Sequence, residues 1–491
     1  MEKIKRTLAH EAAPALIICA VIVLNLIVSA LTGALGIIIY AKETDDLSIS
    51  DVGDTLFAEA IENGRKVTVT FCMYADSLDA HATGKFVHTT AKMFAEKYPN
   101  FIELRYVNAL TQLDSTGKLF DFEKYKTDMR GEENKIYTTS VIFECDGNYR
   151  VMTDLVSSAG FADFFTLDSS LSATSYNGEE VFASMVSWVL KKDHGTAYFT
   201  SGHGETATLN LFNLLTCAGY YVDEINLKRT PIPEDADLII ISNPRIDFER
   251  AAATSNDKTE MERMTSYAER GGNFLVSLDP YAKDLPVLES FISEFGIEFL
   301  DTEDGNRQVI KDMDDAITTD GFTLVTGIAG GELGESVAEH ASGGRVIIKD
   351  AAPLALSGDA KPLLTSSSSA ICQSGGVSTD TSGSYTIAAT STLAAEDGKE
   401  AKIFVVSSVY LAAADAVITS GYSNKDFIYS LFDEFYGMGD MPYGCNSVVY
   451  DNQILENLIM GTARLYTAAL VLIPVLIAAT GIVVVVRRKA R

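Results

Sequence analysis

Apolar positions run from Pro14 to Tyr40 and again from Leu465 to Val486 without a single charged residue. A hydrocarbon core about 30 Å thick takes roughly 20 helical residues to cross, so 14–40 and 465–486 are each long enough for a transmembrane helix. Lys3, Lys5 and Arg6 precede the first run, and Arg487, Arg488, Lys489 and Arg491 follow the second. Basic flanks of this kind place 1–13 and 487–491 in the cytoplasm and residues ~41–464 beyond it. The expectation is a two-pass protein of the cell membrane, held in lipid by both runs. A cleaved signal peptide is the poorer reading, because its apolar region would be about half as long.

Between the two runs the pattern shortens into strand-length and helix-length pieces. Lys66–Met73 alternates as a strand, Ala82–Tyr98 reads as a helix, and Phe101–Val107 as a second strand. A helical segment is expected around Leu119–Met129. Ser140–Glu144 and Tyr149–Met152 are strands joined by the hairpin signal Asp146-Gly147, and Glu179–Lys192 is a closing helix. This order predicts a thioredoxin-like domain over 55–192. Its only candidate redox thiol, Cys72, sits inside a strand with no second cysteine three residues on, so redox chemistry is not expected.

From 193 to 300 strands and helices alternate. Thr196–Thr200, Tyr221–Leu227, Asp237–Ser242 and Phe274–Leu278 are strands; helices reach Ala218, cover ~Thr259 to Arg270, and cover Leu285–Phe295. Such alternation predicts a doubly wound parallel sheet, Rossmann-like or amidotransferase-like. An α/β extension is expected over 301–455, with strands at Arg345–Lys349, Tyr385–Ala389 and Lys402–Ser407 and a helix at Asn424–Tyr436. Within it, 365–384 reads as a flexible Ser/Thr-rich loop.

Composition narrows the function. The formal net charge is −28, and the tails contribute Glu2 and Glu11 alone to the acidic side, so the acidic excess lies between the apolar runs. Such a surface repels nucleic acid. The six cysteines include Cys19 within the first run and form no C-x-x-C or zinc spacing, so the disulfide state of the other five is left open. No metal or cofactor is expected.

Ligands of open α/β sheets bind beyond the carboxyl ends of the strands. Three such ends carry polar residues: Ser201, Gly202, His203, Gly204 and Glu205 after the first, Asn243 and Arg245 after the third, and Asp279 after the fourth. These are the candidate ligand- or partner-binding residues. Gly202-x-Gly204-x-x-Ala207 matches a dinucleotide fingerprint in spacing. However, Glu205 would repel pyrophosphate at the helix mouth, and Leu227-Lys228-Arg229 stands where an acidic residue would hold a ribose. A hydrolase would cast His203 as base, oriented by Glu205 or Asp279, yet no G-x-S-x-G is present and Cys217 lies within a helix. The plainer reading is that His203 and Glu205 cap the helix and fix the turn.

The run TAYFTSGHGE, then IPEDADLIIISNP, then GGNFLVSLDP, between two apolar termini, resembles the GldG-like auxiliary components of ABC transport systems, a family named after gliding motility. The resemblance covers nearly the whole chain and is strongest from Thr196 to Phe299. It departs at Ser407-Ser408 and in the loop 365–384. It implies partnership with an ABC ATPase and a multi-span permease, in a substrate-facing or coupling role without catalysis. The chain's lack of a P-loop G-x-x-x-x-G-K-[ST] fits that role. The alternatives are an extracytoplasmic enzyme of hydrolase- or amidotransferase-like fold and a structural envelope protein.

Overall fold

The computed structural model describes residues 47–153, 160–168, 173–206, 209–249, 258–340, 345–379, 381–418 and 421–449. Leu47–Val449 forms one compact unit of mixed α/β structure containing several sheets. Two short helices, α1 (Val52–Leu56) and α2 (Ala58–Glu62), lead into β1 (Val67–Phe71), α3 (Ala75–Ala80), α4 (Gly84–Lys97), β2 (Ile102–Asn108) and β3 (Leu113–Asp114). The hairpin β4 (Val141–Cys145) and β5 (Asn148–Met152) follows, turning on Asp146 and Gly147, both at positive φ. These strands form a sheet of order β3-β2-β1-β4-β5, in which β1 and β2 are parallel and β4 and β5 antiparallel. Where a helix was expected around Leu119–Met129, the chain forms only a single tight turn at Glu123–Tyr125. There Phe122 and Tyr125 pack with Cys72, Val107 and Ile142 on one face of the sheet.

The short strands β6 (Phe165–Leu167) and β7 (Ala173–Tyr176) precede α5 (Gly178–Leu190), whose Phe182 stacks on Phe94 of α4 at 4.7 Å. Beyond α5 come β8 (Thr196–Thr200), α6 (Leu209–Cys217), β9 (Tyr221–Ile225), β10 (Leu238–Ser242), α7 (Glu260–Glu269), β11 (Asn273–Ser277), α8 (Pro286–Glu294) and β12 (Ile297–Phe299). The remainder runs β13 (Val309–Lys311), β14 (Thr323–Ile328), α9 (Glu332–His340), β15 (Arg345–Lys349), β16 (Leu354–Leu356), β17 (Lys361–Thr365), β18 (Ile371–Ser374), β19 (Val377–Ser378), β20 (Thr386–Ala394), β21 (Glu400–Val406), α10 (Ala414–Ile418), α11 (Asn424–Ser430) and β22 (Val448–Val449).

The largest sheet has the order β15-β14-β17-β20-β21-β11-β10-β8-β9. Its β9, β8, β10, β11 and β21 are mutually parallel, and β20, β17, β14 and β15 extend it antiparallel. Residues expected as a separate extension therefore supply the fifth parallel strand, and 193–300 and 301–455 share one sheet. Leu-Ile-Ile-Ile-Ser of β10 is buried at every position because both faces are covered. Ile239, Ile241, Phe274, Val276, Ile403 and Val405 pack under Met264, Tyr267, Leu288 and Phe291 of α7 and α8. On the opposite face Leu275 and Val406 meet Leu211 of α6 and Ile428 and Leu431 of the α11 region.

The segment expected as a loose Ser/Thr loop is largely folded. β18 and β19 make a hairpin through Gly375 and Gly376, both at positive φ, and β18 pairs with β13. Ala370 and Cys372 are buried there, and buried Asp312 accepts the Ser367 N–H at 3.0 Å. The Ser366 hydroxyl accepts the Tyr385 N–H at 2.9 Å and the Ser367 hydroxyl the Ser369 N–H at 3.2 Å, so these serines form turns, which composition alone does not reveal.

The two-pass membrane assignment requires correction. No helix among the described residues is long and apolar enough to cross a membrane. The longest of them, α4, has 14 residues and rises only about 21 Å at 1.5 Å per residue. The runs 14–40 and 465–486 and the tails 1–13 and 487–491 lie outside the described residues, so no described helix supports lipid anchoring or an extracytoplasmic location.

Candidate functional site

In the parallel part of the long sheet, β9 and β10 lie on opposite sides of β8, so the connections after β8 and β10 leave in opposite directions. In open parallel sheets such a reversal marks where ligands bind, beyond the carboxyl ends of the strands. The candidate residues converge there. Ser201 follows β8, its N–H donating to Ile225 O at 2.9 Å. Gly202 and Gly204 take φ of 105° and 71°, a region that only glycine adopts without cost. A Cβ at Gly202 would stand 2.7 Å from Asn226 Nδ2.

This double turn drives His203 inward until it has no exposed surface. Its ring stacks on Phe248, centroids 4.0 Å apart. Nδ1 lies 2.9 Å from Glu205 Oε1, and Nε2 lies 3.1 Å from Glu260 Oε2. Glu205 also accepts the His203 N–H at 2.7 Å, and Glu260 accepts the Glu249 N–H at 2.8 Å. Burial opposes the imidazolium charge, but the hydrogen bonds that the ring donates to both carboxylates outweigh it and push the His203 pKa up to about 9. For Glu205, burial raises the pKa, yet the bonds from His203 and the backbone hold it below the usual carboxylate value. His203 is therefore an imidazolium at neutral pH, with both ring nitrogens committed.

The remaining candidates frame this cluster. The His203 carbonyl accepts the N–H groups of Arg245 and Ile246, each at 2.8 Å. Arg245 in turn pairs with Asp279 at 2.8 Å, linking the ends of β10 and β11. Asn243 takes φ of 51°, which asparagine tolerates better than most residues. Its N–H donates to Ser277 O at 2.8 Å, while its buried Oδ1 has no partner among the described residues. Ala207, the last position of the glycine fingerprint, lies outside the described residues.

Sequence reasoning missed Glu260 and Phe248. Glu260 is the first residue of α7, behind a capping box in which Thr259 Oγ1 accepts the Glu262 N–H at 3.0 Å and Glu262 accepts the Thr259 N–H at 2.7 Å. The capping box was legible in T-E-M-E, but no spacing connects Glu260 to a histidine 57 positions earlier. The described residues that could bring three metal-ligand atoms together are His340, Asp433 and Glu434, within 4.8 Å of one another and partly exposed.

The geometry describes a tie. One buried cation and two carboxylates hold together the turn after β8, the turn after β10 and the start of α7. No ring nitrogen is left to take a proton from a substrate.

No protein-family profile and no curated protein matches the chain. Solved structures similar to parts of it include the N-terminal domain of mmIFT52, at 16% identity over 50% of this chain and 99% of that one, with a TM-score of 0.36. PurLQS from Thermotoga maritima aligns at 15% identity over 50% of this chain and 100% of that one, TM-score 0.31. Alpha-L-fucosidase isoenzyme 2 from Paenibacillus thiaminolyticus aligns at 10% identity over 53% and 36%, TM-score 0.28. Likenesses this distant carry no argument about function.

Proposed function

We propose that the chain is a non-catalytic auxiliary subunit of an ABC-type transport system, acting with an ABC ATPase and a multi-span permease. The partnership rests on the resemblance of the TAYFTSGHGE, DLIIISNP and GGNFLVSLDP runs to GldG-like proteins. The lack of catalysis rests on one observation: His203, the strongest base candidate, is sealed between Glu205 and Glu260 at the strand ends where such a sheet would place an active site. On this reading the sheet β3-β2-β1-β4-β5 is a thioredoxin-like unit whose redox chemistry has been lost. Its order and strand directions favour that assignment, and buried Cys72, its thiol pushed up to about 12 by burial, cannot supply a thiolate. The parallel strands β9-β8-β10-β11-β21, covered on both faces, are read as a doubly wound domain.

The test is affinity purification of the tagged full chain from gently solubilised native cells, with its co-purifying proteins identified by mass spectrometry. The expected result is stoichiometric recovery of an ATPase and a permease. Repeated recovery of the chain with neither would overturn the proposal.

A further inference from the structure

Away from the His203 turn, His340, Asp433 and Glu434 each bring one metal-ligand atom to within 4.8 Å of the others. They come from two elements. His340 is the last residue of α9, which packs against α11 and the residues that follow it. Those residues, Leu431–Phe435, form a π-helical turn, and the Tyr436 N–H donates to Leu431 O at 3.2 Å, five positions back. A π turn holds more residues than an α turn, so consecutive side chains diverge less and Asp433 and Glu434 both reach the end of α9. Such turns are rare and concentrate at functional sites.

Tyr443 sets the geometry of the cluster without joining it. The chain turns back through Gly437 and Gly439, both at positive φ, and lays the Tyr443 ring on the His340 ring, centroids 4.3 Å apart and planes 8° from parallel. The Tyr443 hydroxyl donates to Asp433 Oδ2 at 2.9 Å. Orienting partners of this kind accompany metal-binding imidazoles and carboxylates. Yet His340 Nε2 stands 3.5 Å from Glu434 Oε1, beyond ordinary hydrogen-bond length, and His340 makes no hydrogen bond among the described residues. No lysine or arginine among them pairs with Asp433 or Glu434 either. Exposed carboxylates alone need no ion. An imidazole aligned beside two of them and bonded to neither is a different case, a nitrogen-and-oxygen donor set suited to a divalent transition metal.

We propose that His340, Asp433 and Glu434 bind a single zinc ion, which fastens the end of α9 to the π turn. Zinc takes imidazole nitrogen and carboxylate oxygen at about 2.0–2.2 Å, so tetrahedral ligands stand about 3.5 Å apart. A shift of about 1 Å, within the rotamer freedom of the exposed Glu434 side chain, closes the set around the ion. Three protein ligands at a partly exposed position leave the fourth to water. Calcium and magnesium favour sets made wholly of oxygen, so the imidazole selects against them. The site shares no residue with the His203 turn and does not depend on the transport reading.

Calorimetric titration of the untagged full chain with zinc chloride, after stripping with EDTA, tests this. One ion per chain is expected, with a Kd of about 10 μM or tighter, and calcium and magnesium are expected to bind at least about a hundredfold more weakly. His340→Ala and Glu434→Gln are each expected to weaken zinc at least about tenfold. Circular dichroism establishes that each variant is folded. Glu434 is exposed, so Glu434→Gln carries the test should His340→Ala fail to fold. Cobalt(II) in place of zinc is expected to show visible absorption without a thiolate charge-transfer band, which separates this site from the buried cysteines. No zinc binding at about 1 mM, unchanged affinity in the folded variants, equal affinity for calcium, or a thiolate band would each overturn the proposal.

Discussion

Replacing Glu260 by glutamine removes one of the two charges that hold His203 protonated while leaving a hydrogen-bonding group beside Nε2. In the native chain the His203 pKa stands at about 9 against 6.5 for the ordinary side chain. One pKa unit corresponds to about 1.4 kcal/mol, so the difference amounts to roughly 3 kcal/mol of folding stability. Because the folded pKa lies above the unfolded one, that contribution is complete below pH 6.5 and vanishes as pH rises through 9. Between about pH 6 and about pH 8.5 it falls by roughly 2 kcal/mol. Urea unfolding followed by circular dichroism, on native and Glu260→Gln proteins at both pH values, isolates this effect, since other titrating groups cancel in the difference. The native protein is expected to be the more stable by roughly 2 kcal/mol near pH 6, with the gap mostly closed near pH 8.5. A gap that is absent, or equal at the two pH values, would refute the reasoning.

Three further outcomes are expected. Gly202→Ala forces a side chain into φ of 105° and against Asn226 at 2.7 Å, costing about 2–3 kcal/mol; Gly64→Ala, with φ of 67° and open space around it, is expected to cost about 1 kcal/mol, and equal urea midpoints for the two variants would count against this account. Thr259→Ala removes the cap that seats Glu260 and is expected to lower stability by about 0.5–2 kcal/mol, read as a shift in thermal midpoint. The five described cysteines are free and buried, so a thiol reagent is expected to label them only after denaturant is added; rapid labelling of the folded protein would contradict that burial.

Local patterns in the sequence located most elements. The strands at Thr196–Thr200 and Arg345–Lys349 occur with the expected bounds, and the apolar run of β10 correctly signals burial on two faces. These features depend on near neighbours. The carboxyl-end residues His203, Glu205, Asn243, Arg245 and Asp279 do come together, because strand polarity dictates where a parallel sheet displays its loops. What the chain hides is long-range partnership. Nothing near Glu260 marks it as the second carboxylate on His203, and nothing near Glu400–Val406 marks it as the strand beside β11. The hairpin within 365–384 was masked by a serine-rich composition that usually accompanies flexible linkers. The apolar runs at the two ends show the opposite hazard: length and hydropathy suggested a topology that no described helix supports.

The central claim is that His203 is a sealed imidazolium between two carboxylates. Nitrogen NMR of the chain labelled at its six histidines, with the His203 signal assigned by its loss in His203→Asn, reads that state directly. The expected result is a proton on both ring nitrogens at neutral pH and a titration midpoint near 9. A single neutral tautomer at neutral pH, with a midpoint at or below 6.5, would contradict the account.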